Sequence, residues 1–147
     1  MDETRTHDSD LVATVSKVFE RRPEVAAGYL YGSAATGRAT PLSDIDIAVV
    51  AAADLAAERR GALLRDLVTA LERAHPGEAF DVRFLDELPV SVRGRAVTEG
   101  RRVLDRDPRL RVEAEVRARM EYHDFLVFER EGTREGLRGL RDAVRRG

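Results

Sequence analysis

Apolar positions recur along the chain with two different periods, and their alternation lays out a compact αβ protein. Leu11, Val15, Val18 and Phe19 fall on one face of a helix that Asp8 or Ser9 would cap and Pro23 would end after about Arg22. Residues 25–31, VAAGYLY, and 45–50, IDIAVV, read as the first two strands. From Asp54 to Ala74 the residues Leu55, Ala62, Leu63, Leu67, Ala70 and Leu71 return at helical spacing until Pro76-Gly77. Residues 79–85, AFDVRFL, alternate as a third strand, Pro89 to Glu99 suit a short helix, and Arg101 to Leu104 a short fourth strand. A second long helix is expected from Pro108 to about Arg130, broken at Gly132. The tail over 133–147 then forms its own amphipathic helix, with Leu137, Leu140 and Val144 on one side. The expected architecture is one α/β (α+β) domain over 1–147: a small mixed sheet of about four strands covered by helices, with C-terminal helices. Residues 1–8 are expected to be disordered.

Composition narrows the class of function. The chain has 147 residues, enough for one domain with a real core, and its apolar fraction of 43% and charged fraction of 35% fit a soluble globular protein. Net charge is −2 with acids and bases interspersed, so stable nucleic-acid binding is not expected. There is no cysteine, which excludes disulfides and thiolate metal sites. No apolar run approaches a membrane span, and the polar opening MDETRTHDSD is no signal peptide, so a cytoplasmic protein is expected.

Candidate chemistry centres on the second strand. Asp44 and Asp46 are two apart, so they share one face, while Ile45, Ile47 and Val49 share the other. Taken alone, the pair reads as a strand-entry cap and an exposed edge residue. Three further features change the reading. Gly32-Ser33 follows an apolar strand, where glycine lets the backbone approach closely and serine opens a helix whose N–H groups suit phosphate. Ten residues separate Ser33 from Asp44, a loop able to bring that phosphate site against the carboxylates. Asp81 lies within the third strand, where a carboxylate is costly unless it faces water or a metal. Paired carboxylates repel, and a hard divalent cation such as Mg²⁺ or Mn²⁺ reverses that repulsion. Three carboxylates on neighbouring strands beside a phosphate cradle are the parts of a two-metal phosphoryl-transfer site.

The element Gly32-Ser33-x10-Asp44-x-Asp46, preceded by YLY and followed by IAVV, resembles the signature of the nucleotidyltransferase superfamily that includes DNA polymerase beta. With the strand FDVRFLD and the later RRVLDRDPRLRVEAEVRARMEYHDFL, the chain is similar to minimal nucleotidyltransferases of the antitoxin type, which pair with HEPN-domain toxins. The resemblance covers about residues 10–130 and implies the nucleotidyltransferase fold. It also implies that Asp44, Asp46 and Asp81 hold two Mg²⁺ ions, that Gly32 and Ser33 bind the triphosphate, and that ATP is the substrate. Many relatives have arginine before the loop glycine; here Thr36 precedes Gly37 and Arg38 follows it, so Arg38 is the loop candidate for the triphosphate. The implied activity is transfer of AMP to a tyrosine of a HEPN toxin. A small-molecule acceptor, with a homo-oligomer completing the pocket, and silencing by contact alone are the alternatives. His75 reads as a helix-end surface residue, and Tyr122, Phe125 and Phe128 as core or a partner face.

Overall fold

The computed structural model describes residues 2–36 and 43–146. Helix α1 (Asp2–Glu20) leads into β1 (Val25–Tyr31), a four-residue helix α2 (Ser33–Thr36) and β2 (Ile45–Ala51). Helix α3 (Ala57–Ala74) crosses to β3 (Phe80–Phe84), and a 3₁₀ turn (Leu85–Glu87) precedes α4 (Val90–Glu99), β4 (Arg101–Asp105) and α5 (Pro108–Arg146). The sheet order is β3-β2-β1-β4. Strand β1 pairs antiparallel with both β2 and β4, whereas β2 and β3 run parallel, as α3 between them requires.

Central position explains the burial of β1 and β2. Their side chains meet a layer on each face, so β1 is apolar almost throughout rather than alternating. Beneath one face, Val15 and Phe19 of α1 and Leu63, Leu67 and Leu71 of α3 pack on Leu30, Ile47, Val49 and Phe84. Burying a side chain the size of Phe19 contributes about 1.5–3 kcal/mol, and Phe19 and Phe84 are both essentially inaccessible. On the other face, Tyr29, Ala48, Leu85 and Leu88 lie under Ala96 and Val97 of α4 and Ala118 of α5. Helices α4 and α5 come close because Gly94 has no side chain: a Cβ there would overlap the Tyr122 ring at 2.2 Å. The one buried carboxylate of this layer, Glu115, accepts a hydrogen bond from the Tyr29 hydroxyl at 2.5 Å and pairs with Arg111 and Arg119.

Three expectations change. Helix α1 begins at Asp2 rather than at Asp8 or Ser9, so residues 2–8, expected to be disordered, are helical. No proline or glycine interrupts that segment, and its polar sequence is as compatible with a solvated helix as with a loop. The second change is at Gly132, which does not break α5: the helix runs unbroken for 39 residues, roughly 58 Å at 1.5 Å per residue. An isolated glycine lowers helix propensity by only about 1 kcal/mol, and the flanking Glu, Arg and Leu residues favour the helix. Beyond the body of the protein Leu137, Leu140 and Val144 remain 56%, 65% and 79% exposed. Helix α3 also starts slightly later than Asp54, at Ala57, where Ala56 supplies no side-chain cap.

Candidate active site

Strand β1 ends at Tyr31, and Gly32 turns the chain with a φ of 69°, a left-handed value that glycine adopts without strain. Ser33 then opens α2. The strand registers bring the chemistry together: Tyr31 lies opposite Asp46 across the β1–β2 pair, and Asp46 lies opposite Asp81 across the β2–β3 pair. Tyr31, Asp46 and Asp81 therefore form a row across three adjacent strands, and Asp44 sits two residues before Asp46 at the mouth of β2. The turn touches this row directly. A Cβ on residue 32 would stand 2.7 Å from Asp46 Oδ2, so glycine is needed there both for the backbone angle and for the room it leaves the carboxylate.

Electrostatics follow the geometry. The Asp46 carboxyl is raised above its usual range by partial burial, then by the nearby charges of Asp81 and Asp44, with Arg83 opposing. The Tyr31 hydroxyl is pushed up to about 12 by burial and by Asp46 and Asp81. Asp81 forms an ion pair with Arg83, Nε to Oδ1 3.2 Å. Beside the row, Tyr31, Gly32 and Ser33 share a cleft of about 620 Å³ with Val92, Arg95 and Glu99 of α4, a size within the usual range for ligand sites.

Five of the residues singled out from the sequence, Gly32, Ser33, Asp44, Asp46 and Asp81, thus lie at one end of the sheet. Arg38 lies outside the described residues. Sequence reasoning missed Tyr31, Arg83 and the α4 wall of the cleft. Asp81 and Arg83 are i and i+2 on a strand, a spacing that places both on one face and was available as a signal. His75 packs edge-on against His7, which pairs with Glu78. His123 is exposed on α5.

As a metal site, the donors are of the right kind: three carboxylates that repel one another and include one with a raised pKa suit a hard divalent cation. Among the described residues, no three His, Cys, Asp or Glu side chains close around a common point, and Asp81 is turned to Arg83. The chemistry of the donor set fits Mg²⁺ or Mn²⁺, with Asp44 and Asp46 as its core.

The family model described as "Polymerase beta, Nucleotidyltransferase" matches residues 13–109, more than half of the chain and the whole of the row and turn. The chain belongs to this nucleotidyltransferase family. The nucleotidyltransferase fold accounts for the mixed sheet and for the Gly-Ser turn placed against strand carboxylates. Similar solved structures include a toxin–antitoxin complex crystallised with AMP-PNP, at 24% identity and a TM-score of 0.61 over 86% of this chain and 97% of the other. A second is a tri-AMPylated Shewanella oneidensis HEPN toxin in complex with MNT antitoxin, at 23% identity and a TM-score of 0.57 over 88% and 98%. The toxin–antitoxin pair MntA-HepT gives 23% identity and a TM-score of 0.56 over 86% and 96%. At these identities the likeness establishes the shared fold. No curated protein sequence matches the chain. Among the described residues no helix is long and apolar enough to cross a membrane.

Proposed function

We propose that this nucleotidyltransferase is an antitoxin that transfers AMP from ATP to a tyrosine hydroxyl of a partner HEPN toxin and so neutralises it. The observation that carries the reading is the contact between the two halves of the site: the Gly32 turn lies against Asp46, which stands between Tyr31 and Asp81. A phosphate held at the turn is thereby presented to the carboxylate row. The likeness to structures of toxin–antitoxin complexes, one with AMP-PNP and one with a tri-AMPylated toxin, supports the choice of donor and acceptor.

In this reading Ser33 and the Gly32 backbone hold the β and γ phosphates, joined by Arg38 from the loop. Asp44, Asp46 and Asp81 are the residues that would hold Mg²⁺ or Mn²⁺, and such ions neutralise the carboxylates and draw charge from the phosphates. The toxin's hydroxyl oxygen bonds to the α-phosphorus, the bond to the outgoing pyrophosphate breaks, and Asp81 accepts the hydroxyl proton. The cytoplasm, where ATP is made, is the proposed location. Incubation with labelled ATP, Mg²⁺ and a HEPN toxin as partner tests the reading. Label on that partner, absent with the Asp44→Asn variant, is expected. Label on a small molecule alone, or full protection of cells by Asp44→Asn, would overturn it.

A further inference from the structure

A cationic feature lies under the opposite face of the sheet, in a groove of about 520 Å³ between α1 and α3. Lys17, Arg21, Arg22 and Arg73 line it, and no carboxylate does. This is unusual for a chain whose 25 basic residues are nearly matched by 27 acidic ones. Elsewhere several arginines pair: Arg59 with Glu24 and Asp66, Arg60 with Asp86, Arg101 with Asp8, Arg111 with Asp105. Among the described residues, none of the four groove side chains makes a hydrogen bond or ion pair.

The helix dipole does not explain the cluster. Cations favour a helix C-terminus because they meet its orphan carbonyls, but Arg106 already does so for α1, donating to the carbonyls of Phe19, Glu20 and Arg22. Lys17, Arg21 and Arg22 are surplus to that need, and Arg73 belongs to the last turn of α3. Lys17 and Arg21 are four residues apart, a spacing at which like charges repel on a helix. All four line one groove. An anion in the groove would convert mutual repulsion into charge-assisted hydrogen bonds.

We infer that the α1–α3 groove binds a polyphosphate chain, either free or as part of a nucleoside polyphosphate. A fully ionised nucleoside triphosphate supplies one negative charge for each of Lys17, Arg21, Arg22 and Arg73, and free tripolyphosphate supplies one more. Val18 and Ala70 between them give an apolar floor on which a nucleoside could rest. The groove is separate from the carboxylate row, which lies on the sheet face toward α4 and α5.

The test is calorimetric titration of the full chain with inorganic tripolyphosphate, and separately with ATP, at low salt and without divalent cations. One saturable equivalent is expected, weakened about tenfold or more in Arg21→Ala/Arg73→Ala, which should keep its helical circular dichroism and its nucleotidyl transfer. Equal affinity for tripolyphosphate and ATP would assign recognition to the phosphate chain; saturation by ATP alone would assign it to a nucleoside polyphosphate. The inference is overturned if neither probe saturates or if the double variant binds like the parent. It is also overturned if Arg138→Ala/Arg141→Ala, on the exposed tail, weakens binding as much, since that would be a net-charge effect.

Discussion

Gly32 and Asp46 stand so close that one added carbon on the first would lie 2.7 Å from a carboxylate oxygen of the second. That relationship fixes the residue type at position 32 twice over, through its φ of 69° and through the missing side chain. Gly32→Ala should therefore lose about 1–2 kcal/mol of stability from the left-handed backbone alone. It should also lose more transfer activity than that destabilisation explains, because Asp46 must move. Chemical denaturation and a labelled-ATP assay on the same preparation separate the two effects.

Asp46→Asn should abolish transfer and yet raise the melting temperature at neutral pH. Folding raises the pKa of this carboxyl through burial and through Asp81 and Asp44, so the native state binds its proton more tightly than the unfolded state. Stability contributed here falls as pH rises through the interval between the unfolded and folded values, and the deficit persists above it. The difference between variant and parent should shrink as pH drops below that interval. A variant less stable than the parent at pH 7 would contradict the arrangement of charges.

Ser33→Ala should be milder, weakening triphosphate binding by about 1–2 kcal/mol for one lost hydrogen bond to a charged group. Nucleotide titration with Mg²⁺ present measures it. A loss confined to metal affinity would remove Ser33 from the phosphate role.

The opposite pH behaviour is expected from Glu115. Burial pushes its carboxyl up, but the hydrogen bonds from Tyr29 and Arg111 and the charges of Arg111 and Arg119 outweigh that and leave it below the usual range. Its contribution is present above the unfolded pKa and is lost as pH falls through the lower folded one. Glu115→Gln should cost about 1–3 kcal/mol at pH 7, with the gap to the parent narrowing in acid, as followed by urea unfolding.

Mg²⁺ with ATP should stabilise the protein through binding to the folded state, by about 2.7 kcal/mol at 100 times the dissociation constant. A thermal scan indifferent to both would count against any nucleotide site.

The sheet and most helices were legible because burial in each is one-sided or continuous, and either pattern marks the sequence. Val15 and Phe19 on α1, and Leu63, Leu67 and Leu71 on α3, announce the face that packs. The Gly-Ser turn and the aspartates were equally plain, because their spacing between two apolar strands, rather than any one residue, set them apart. What sequence concealed was pairing between strands. Tyr31 becomes a neighbour of Asp46 only through the β1–β2 register, and Arg83 is a partner of Asp81 only once side chains are placed. The end of α5 misled for a different reason: Gly132 is a break only where something else competes for the chain, and a side chain added there would meet no other part of the protein within 4 Å.

The order of the strands has a consequence for synthesis. Tyr31, Asp46 and Asp81 all precede residue 85, so every member of the row is synthesised before α4 and α5. Tyr29, Leu85 and Leu88, however, are covered by Ala96, Val97 and Ala118, and the Tyr29 hydroxyl finds its partner only at Glu115. A nascent chain stopped before Glu115 would carry Asp44, Asp46 and Asp81 on a sheet with one oily side bare. Newly made molecules therefore gain a sealed sheet only after three-quarters of translation. Before that point their hazard is sticking to one another, and chaperone binding to this face should peak in the same interval.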